Sequence, residues 1–159
     1  MPGSRGLMGL EHPNRYGPID PMALAHLEAW LGAAFPDDYR VFLLNANGGV
    51  PVPGRFPGGC VDCFLALHDQ VWDEESPGGP HAYPLQAAIL EWADTLPERD
   101  DVPIGRSGDG GWITLALEGD GRGSVLLADP ESDEPARLLA GSFSEFLHLL
   151  DVDGAEEAP

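Results

Sequence analysis

The chain has 159 residues, with 27 acids set against 8 arginines and no lysine, giving a formal charge of -19. A field of that sign repels nucleic acid and anionic membrane and draws in cationic partners, although acidity also serves solubility alone or reflects an acid-rich, lysine-poor proteome. The length suits one domain with one core, and no apolar run reaches the roughly 20 residues that a membrane-spanning helix needs. No basic segment followed by an apolar one opens the chain as in a secretory signal, so a cytoplasmic protein is expected. With only Cys60 and Cys63 present, a disulfide framework is excluded as the stabilising device.

In chain order, residues 1–18 are rich in Gly, Pro and isolated charges without a period, and are expected to form a flexible arm. Asp20 before Pro21 is an N-cap and first-turn signature, and Leu24, Leu27, Leu31 and Ala34 keep helical spacing through a first helix. A second helix is specified more sharply. Pro36 suits the first helical position, Asp37 and Asp38 complement the positive end of the helix dipole, and Tyr39, Phe42, Leu43 and Ala46 recur on one face. Gly48 and Gly49 are expected to end it, with Pro51 and Pro53 preventing its resumption.

The density of Gly and Pro from Gly48 to Gly59 argues against a regular element there, with Phe56 docking on the core as an isolated aromatic. Val61–Leu67 is an apolar run of strand length. Asp73, Glu74 and Glu75 open a polar loop to Pro80, after which Leu85, Ala88, Ile89 and Trp92 mark a third helix closed by Pro97. Val102–Gly105, Trp112–Leu117 and Val125–Ala128 have the composition of strands, separated by the SGDGG turn and by a Gly-rich segment, so an antiparallel hairpin is predicted. Ile113, Leu115 and Leu117 would share one face. Asp129, Pro130 and the acidic run to Pro135 form the next loop. Ser142 with Glu145 makes a capping box, and Phe143, Phe146, Leu147 and Leu150 line a fourth helix. Residues 19–151 thus read as one α+β domain, an antiparallel β-sheet backed by about four helices, followed by an acidic tail at 152–159.

Taken together and in order, FPDDYRVFLLNANGG, the PIG of Pro103–Gly105, the Gly110-Gly111 turn, ITLAL with Gly119, Gly123, Val125 and Asp129, and SFSEFLHLL resemble the SUKH superfamily, which includes the yeast cell-wall assembly regulator and many bacterial immunity proteins. The resemblance covers nearly the whole domain. It implies an α+β fold and, for a bacterial member, the binding and neutralisation of a toxin delivered by the same cell or its kin; family toxins are often cationic nucleases. The alternative it implies is a regulatory protein-interaction module without toxin inhibition. Trp112 and the CVDC segment depart from the family pattern.

Catalytic signatures are missing from the sequence: no GxSxG, HExxH, P-loop or GxGxxG occurs, and the histidines are scattered, so no catalytic residue and no cofactor is assigned. His26 and His148 are expected at the surface. Cys60 and Cys63 have the spacing of a zinc half-site that His68 or His81 could complete, but no second pair follows, and buried or partly buried thiols are the preferred reading. Gly108–Gly111 could form an anion-binding nest, against which stand Asp109 and the overall field; a tight turn accounts for it better. Contact with a basic toxin domain is expected from two acidic loops, Asp73, Glu74 and Glu75 in one and Asp129, Glu131, Asp133 and Glu134 in the other. Trp72 is either the apolar anchor of that interface or a core residue.

Overall fold

The computed structural model describes residues 9–11, 17–52, 54–56, 59–68, 84–95, 100–108, 110–129 and 136–156. Their order is β1 (Gly9–Glu11), α1 (Pro21–Leu31), α2 (Asp37–Asn45), β2 (Val50–Val52), β3 (Arg55–Phe56), β4 (Gly59–Phe64), α3 (Leu85–Thr95), β5 (Asp101–Ser107), β6 (Trp112–Ala116), β7 (Val125–Ala128), β8 (Arg137–Ala140) and α4 (Phe143–Glu156). The last six strands form one sheet in sequential order, every neighbouring pair antiparallel, while β1 and β2 make a separate ribbon. This is the α+β arrangement that the hydrophobic periods predict.

Local chemistry explains most element ends. The Asp20 carboxylate accepts from the Met22 N–H at 2.9 Å and Pro21 occupies the first turn, as read from the sequence. The helix stops at Leu31 rather than running on to Ala34, because Gly32 adopts a left-handed φ of 75° and its N–H returns to the carbonyls of Glu28 and Ala29. α2 begins at Asp37 with Pro36 as its cap, one residue later than expected, and its end also differs. Ala46, in extended conformation, closes it, so the helix is over before Gly48.

Gly48 and Gly49 serve the next step instead. Gly48, at φ 83°, packs so closely on the 64–66 segment that a Cβ would lie 2.9 Å from the Ala66 Cβ. Gly49 exchanges both backbone hydrogen bonds with Phe64. The Gly48–Gly59 stretch therefore does carry regular structure, the short strands β2 and β3, which the Gly/Pro density argued against; Phe56 is buried as expected. Gly9–Glu11, in the segment read as an arm, pairs with Val50–Val52. The strand expected at Val61–Leu67 runs instead from Gly59 to Phe64, and β8 has no counterpart among the predicted elements.

On β6, Ile113 and Leu115 are buried and so are the alternating Thr114 and Ala116, so both faces of the sheet are covered there. Trp92 of α3 meets Trp112 edge-on at 6.3 Å. α4 supplies three apolar anchors, Phe143, Phe146 and Leu150, all fully buried. Its cap is a variant of the predicted box: Ser142 Oγ accepts from the Glu145 N–H, and Glu145 accepts from the Gly141 N–H rather than from Ser142.

Candidate binding cleft and acidic surface

α1 buries Leu24 and Leu27 but leaves Met22 65 % and Trp30 55 % exposed. α3 likewise buries Leu85, Ala88, Ile89 and Trp92 and leaves Leu90 46 % exposed. Between the two helices lies a cleft of about 550 Å³ whose apolar lining includes Ala23, Leu27, Trp30, Leu67 and Leu90. Asp20, His26, His68 and Gln86 add polar groups to it. A solvent-exposed Trp next to an exposed Leu on facing helices is the kind of apolar patch that marks an interaction surface.

The floor of the cleft is an irregular segment held from several sides. Asn47, 1 % exposed, treats Leu67 as a strand would, donating to its carbonyl at 2.8 Å and accepting from its N–H at 2.9 Å, while also donating to Gly17 O at 3.1 Å. The Leu65 N–H bonds Ile104 O, the Leu85 N–H bonds Ala66 O, and Gln86 Nε2 donates to His68 O. Backbone groups that would be costly to bury unpaired are thereby satisfied without a ladder. The Gln86 side-chain oxygen is buried with no hydrogen-bond partner among the described residues.

Among the described residues of α1, its cap and α3, the formally charged side chains are all acidic. Asp20 caps α1, Glu28 lies on it, Glu91 and Asp94 lie on α3, and neither helix contains an arginine. Elsewhere, arginines are engaged by the chain itself: Arg40 pairs with Glu28 at 3.2 Å, the Arg106 guanidinium sits 4.4 Å over the Trp112 ring, and Arg122 donates to Ala34 O at 2.9 Å. Glu118, Asp120 and Asp129 are exposed.

Of the residues expected to contact a partner, Trp72, Asp73, Glu74, Glu75, Glu131, Asp133 and Glu134 lie outside the described residues, as do His12 and His81. Asp129 follows β7 beside the Arg106–Trp112 end of the sheet, since Ala128 pairs with Trp112 and Trp112 with Arg106. His68 stands at the opposite end, because Leu65 bonds Ile104 and the chain runs on from there toward the start of β5. His68 and Asp129, the described residues that precede the two acidic segments in the chain, therefore stand at opposite ends of the sheet. The cleft itself was not anticipated, yet it had a signal: Ala23 and Trp30, seven residues apart, fall beside the Leu24–Leu27–Leu31 stripe and widen the apolar face of the helix.

Cys60 is half-buried and Cys63 buried, as expected, and burial, reinforced by the charge of Asp62 and opposed by Arg106, pushes the Cys63 thiol up to about 12. Among the described residues no group of three or more His, Cys, Asp or Glu could hold a metal ion, and no helix is long and apolar enough to cross a membrane. His26 and His148 are exposed. No curated protein matches the chain. The model of the SMI1 / KNR4 family (SUKH-1) matches residues 18–148, from the rim of the cleft through the whole six-stranded sheet to the last helix. The chain therefore belongs to the SMI1 / KNR4 family.

Proposed function

We propose that this chain is an immunity-type protein that binds a cationic, nuclease-like toxin domain in the cytoplasm and neutralises it by occlusion, performing no chemistry of its own. The observation that supports this reading is the one-sided surface charge on a SUKH-1 domain. Arg40, Arg106 and Arg122 are tied to the chain's own groups, while Asp37, Asp94, Glu118 and Asp120 are exposed to a partner. Carboxylates so arranged speed encounter with a basic protein and select against acidic ones. The acidic segments holding Asp73, Glu74 and Glu75 and Asp129, Glu131, Asp133 and Glu134, with Trp72, belong to that contacting surface in this proposal.

The test is co-expression with the basic protein encoded by the neighbouring gene. Growth is restored only when this chain is present, the two co-purify at equal stoichiometry, and association slows about tenfold or more between low and physiological salt. Co-purification without rescue would replace neutralisation by the alternative that the sequence resemblance implies, a regulatory protein-interaction module. An association rate indifferent to salt would remove the electrostatic element.

A further inference from the structure

We infer that the cleft between α1 and α3 seats a cationic amphipathic segment of the partner protein, its apolar face against Trp30 and Leu90 and its positive side chains toward Asp20 and Asp94. The sign of the partner's charge rests on the reading above; the location does not. Two neighbouring helices that leave Trp30 and Leu90 in solvent on the cleft they enclose present the groove that an amphipathic helix fills. A volume of about 550 Å³ accommodates a few aliphatic side chains, within the range of protein ligand sites.

The rim decides what kind of segment enters. Asp20 lines the cleft, the exposed Asp94 lies one turn beyond Leu90 on the same face of α3, and no arginine lies on either helix. An anionic ligand would meet both this local field and the net charge of the chain. A second copy of the chain would carry the same excess of acid into the contact, which opposes self-association through this face. Trp30 also suits a cation directly, since a guanidinium or ammonium is attracted to an indole face. The floor supports docking because Asn47 and α3 fix it from behind, so little ordering is lost on binding.

The test separates position from charge. A synthetic amphipathic helix of leucine and lysine is titrated calorimetrically against the full chain and three variants. Leu90→Arg and Leu138→Arg add the same charge at exposed positions, one on the cleft and one on β8, and thermal melts check that both remain folded. Leu90→Arg weakens binding by at least about thirtyfold, Trp30→Ala by about tenfold, and Leu138→Arg by less than threefold. Equal effects of the two arginine variants, no binding by the unmodified chain, or equal binding of a leucine–glutamate helix would each overturn the inference. So would a free-protein dimer, seen by sedimentation, that Leu90→Arg dissociates. The proposed function fails separately, when the neighbouring gene's product is neither bound nor neutralised although the leucine–lysine helix still distinguishes Leu90→Arg from Leu138→Arg.

Discussion

Two apolar regions are built from neighbouring helices of this molecule, and they are finished in opposite ways. Around α2 and α4, Tyr39 stands edge-on to Phe35 at 5.3 Å and to Phe143 at 5.0 Å, Phe64 meets Phe143 at 5.7 Å, and Phe146 reaches Phe56 at 5.9 Å. All six of these rings are at most 2 % exposed. Between α1 and α3, Trp30 and Leu90 have comparable apolar bulk and are half in solvent. Edge-to-face rings at these spacings contribute beyond their burial, so the first region specifies the fold. In the second, Trp30 and Leu90 are free to act because they lie outside the buried core.

The largest expected effect sets these regions directly against each other. Phe143→Ala removes a fully buried ring that touches Tyr39, Phe42 and Phe64, and should cost about 3–5 kcal/mol in urea unfolding. Trp30→Ala, at 55 % exposure, should cost less than about 0.5–1 kcal/mol. Similar losses would show that the cleft is part of the core, and the contrast would collapse.

That contrast also explains what could be read in advance. A buried helix face writes itself into the sequence at fixed spacing, so Tyr39–Leu43, Leu85–Trp92 and Phe143–Leu150 were legible, as were strands β5 to β7 from their β-branched and apolar runs. Elements whose hydrogen bonds come from distant partners were not. β2, with Pro at its centre, exists because Gly9–Glu11 pairs with it, and β8 because β7 offers an edge. The Leu65–His68 segment looked like the end of a strand, yet Asn47 and the start of α3 take over its hydrogen bonding. The cleft depends on how α1 and α3 approach each other across that segment, and no local pattern encodes that distance.

Asn47→Ala tests the link between the regions and should have the next largest effect. It leaves the buried N–H and C=O of Leu67 without their partners and frees the Gly17 carbonyl, an expected loss of about 2–4 kcal/mol. Because Leu67 and His68 line the cleft, affinity for the leucine–lysine helix should fall with stability. Stability lost with unchanged affinity would mean that the floor keeps its shape without Asn47.

The smallest effect sharpens the aromatic side of the comparison by its sign. The Tyr39 hydroxyl is buried with no hydrogen-bond partner among the described residues, and burial raises its pKa far above the ordinary 10.0. Removing an unpaired buried hydroxyl while keeping the ring relieves a desolvation cost, so Tyr39→Phe should stabilise the protein by about 1 kcal/mol at neutral pH. The pH dependence has a definite sign: the native phenol stays protonated where the unfolded one ionises, so the unfolded state binds fewer protons above pH 10 and is favoured as pH rises. Tyr39→Phe should therefore gain further on the native chain above that pH, by up to about 1.4 kcal/mol per pH unit, measured as the difference between their urea midpoints from pH 9 upward. A destabilised Tyr39→Phe with no alkaline divergence would show that the hydroxyl is hydrogen-bonded after all, and that the sealed region contains a buried polar contact among its rings.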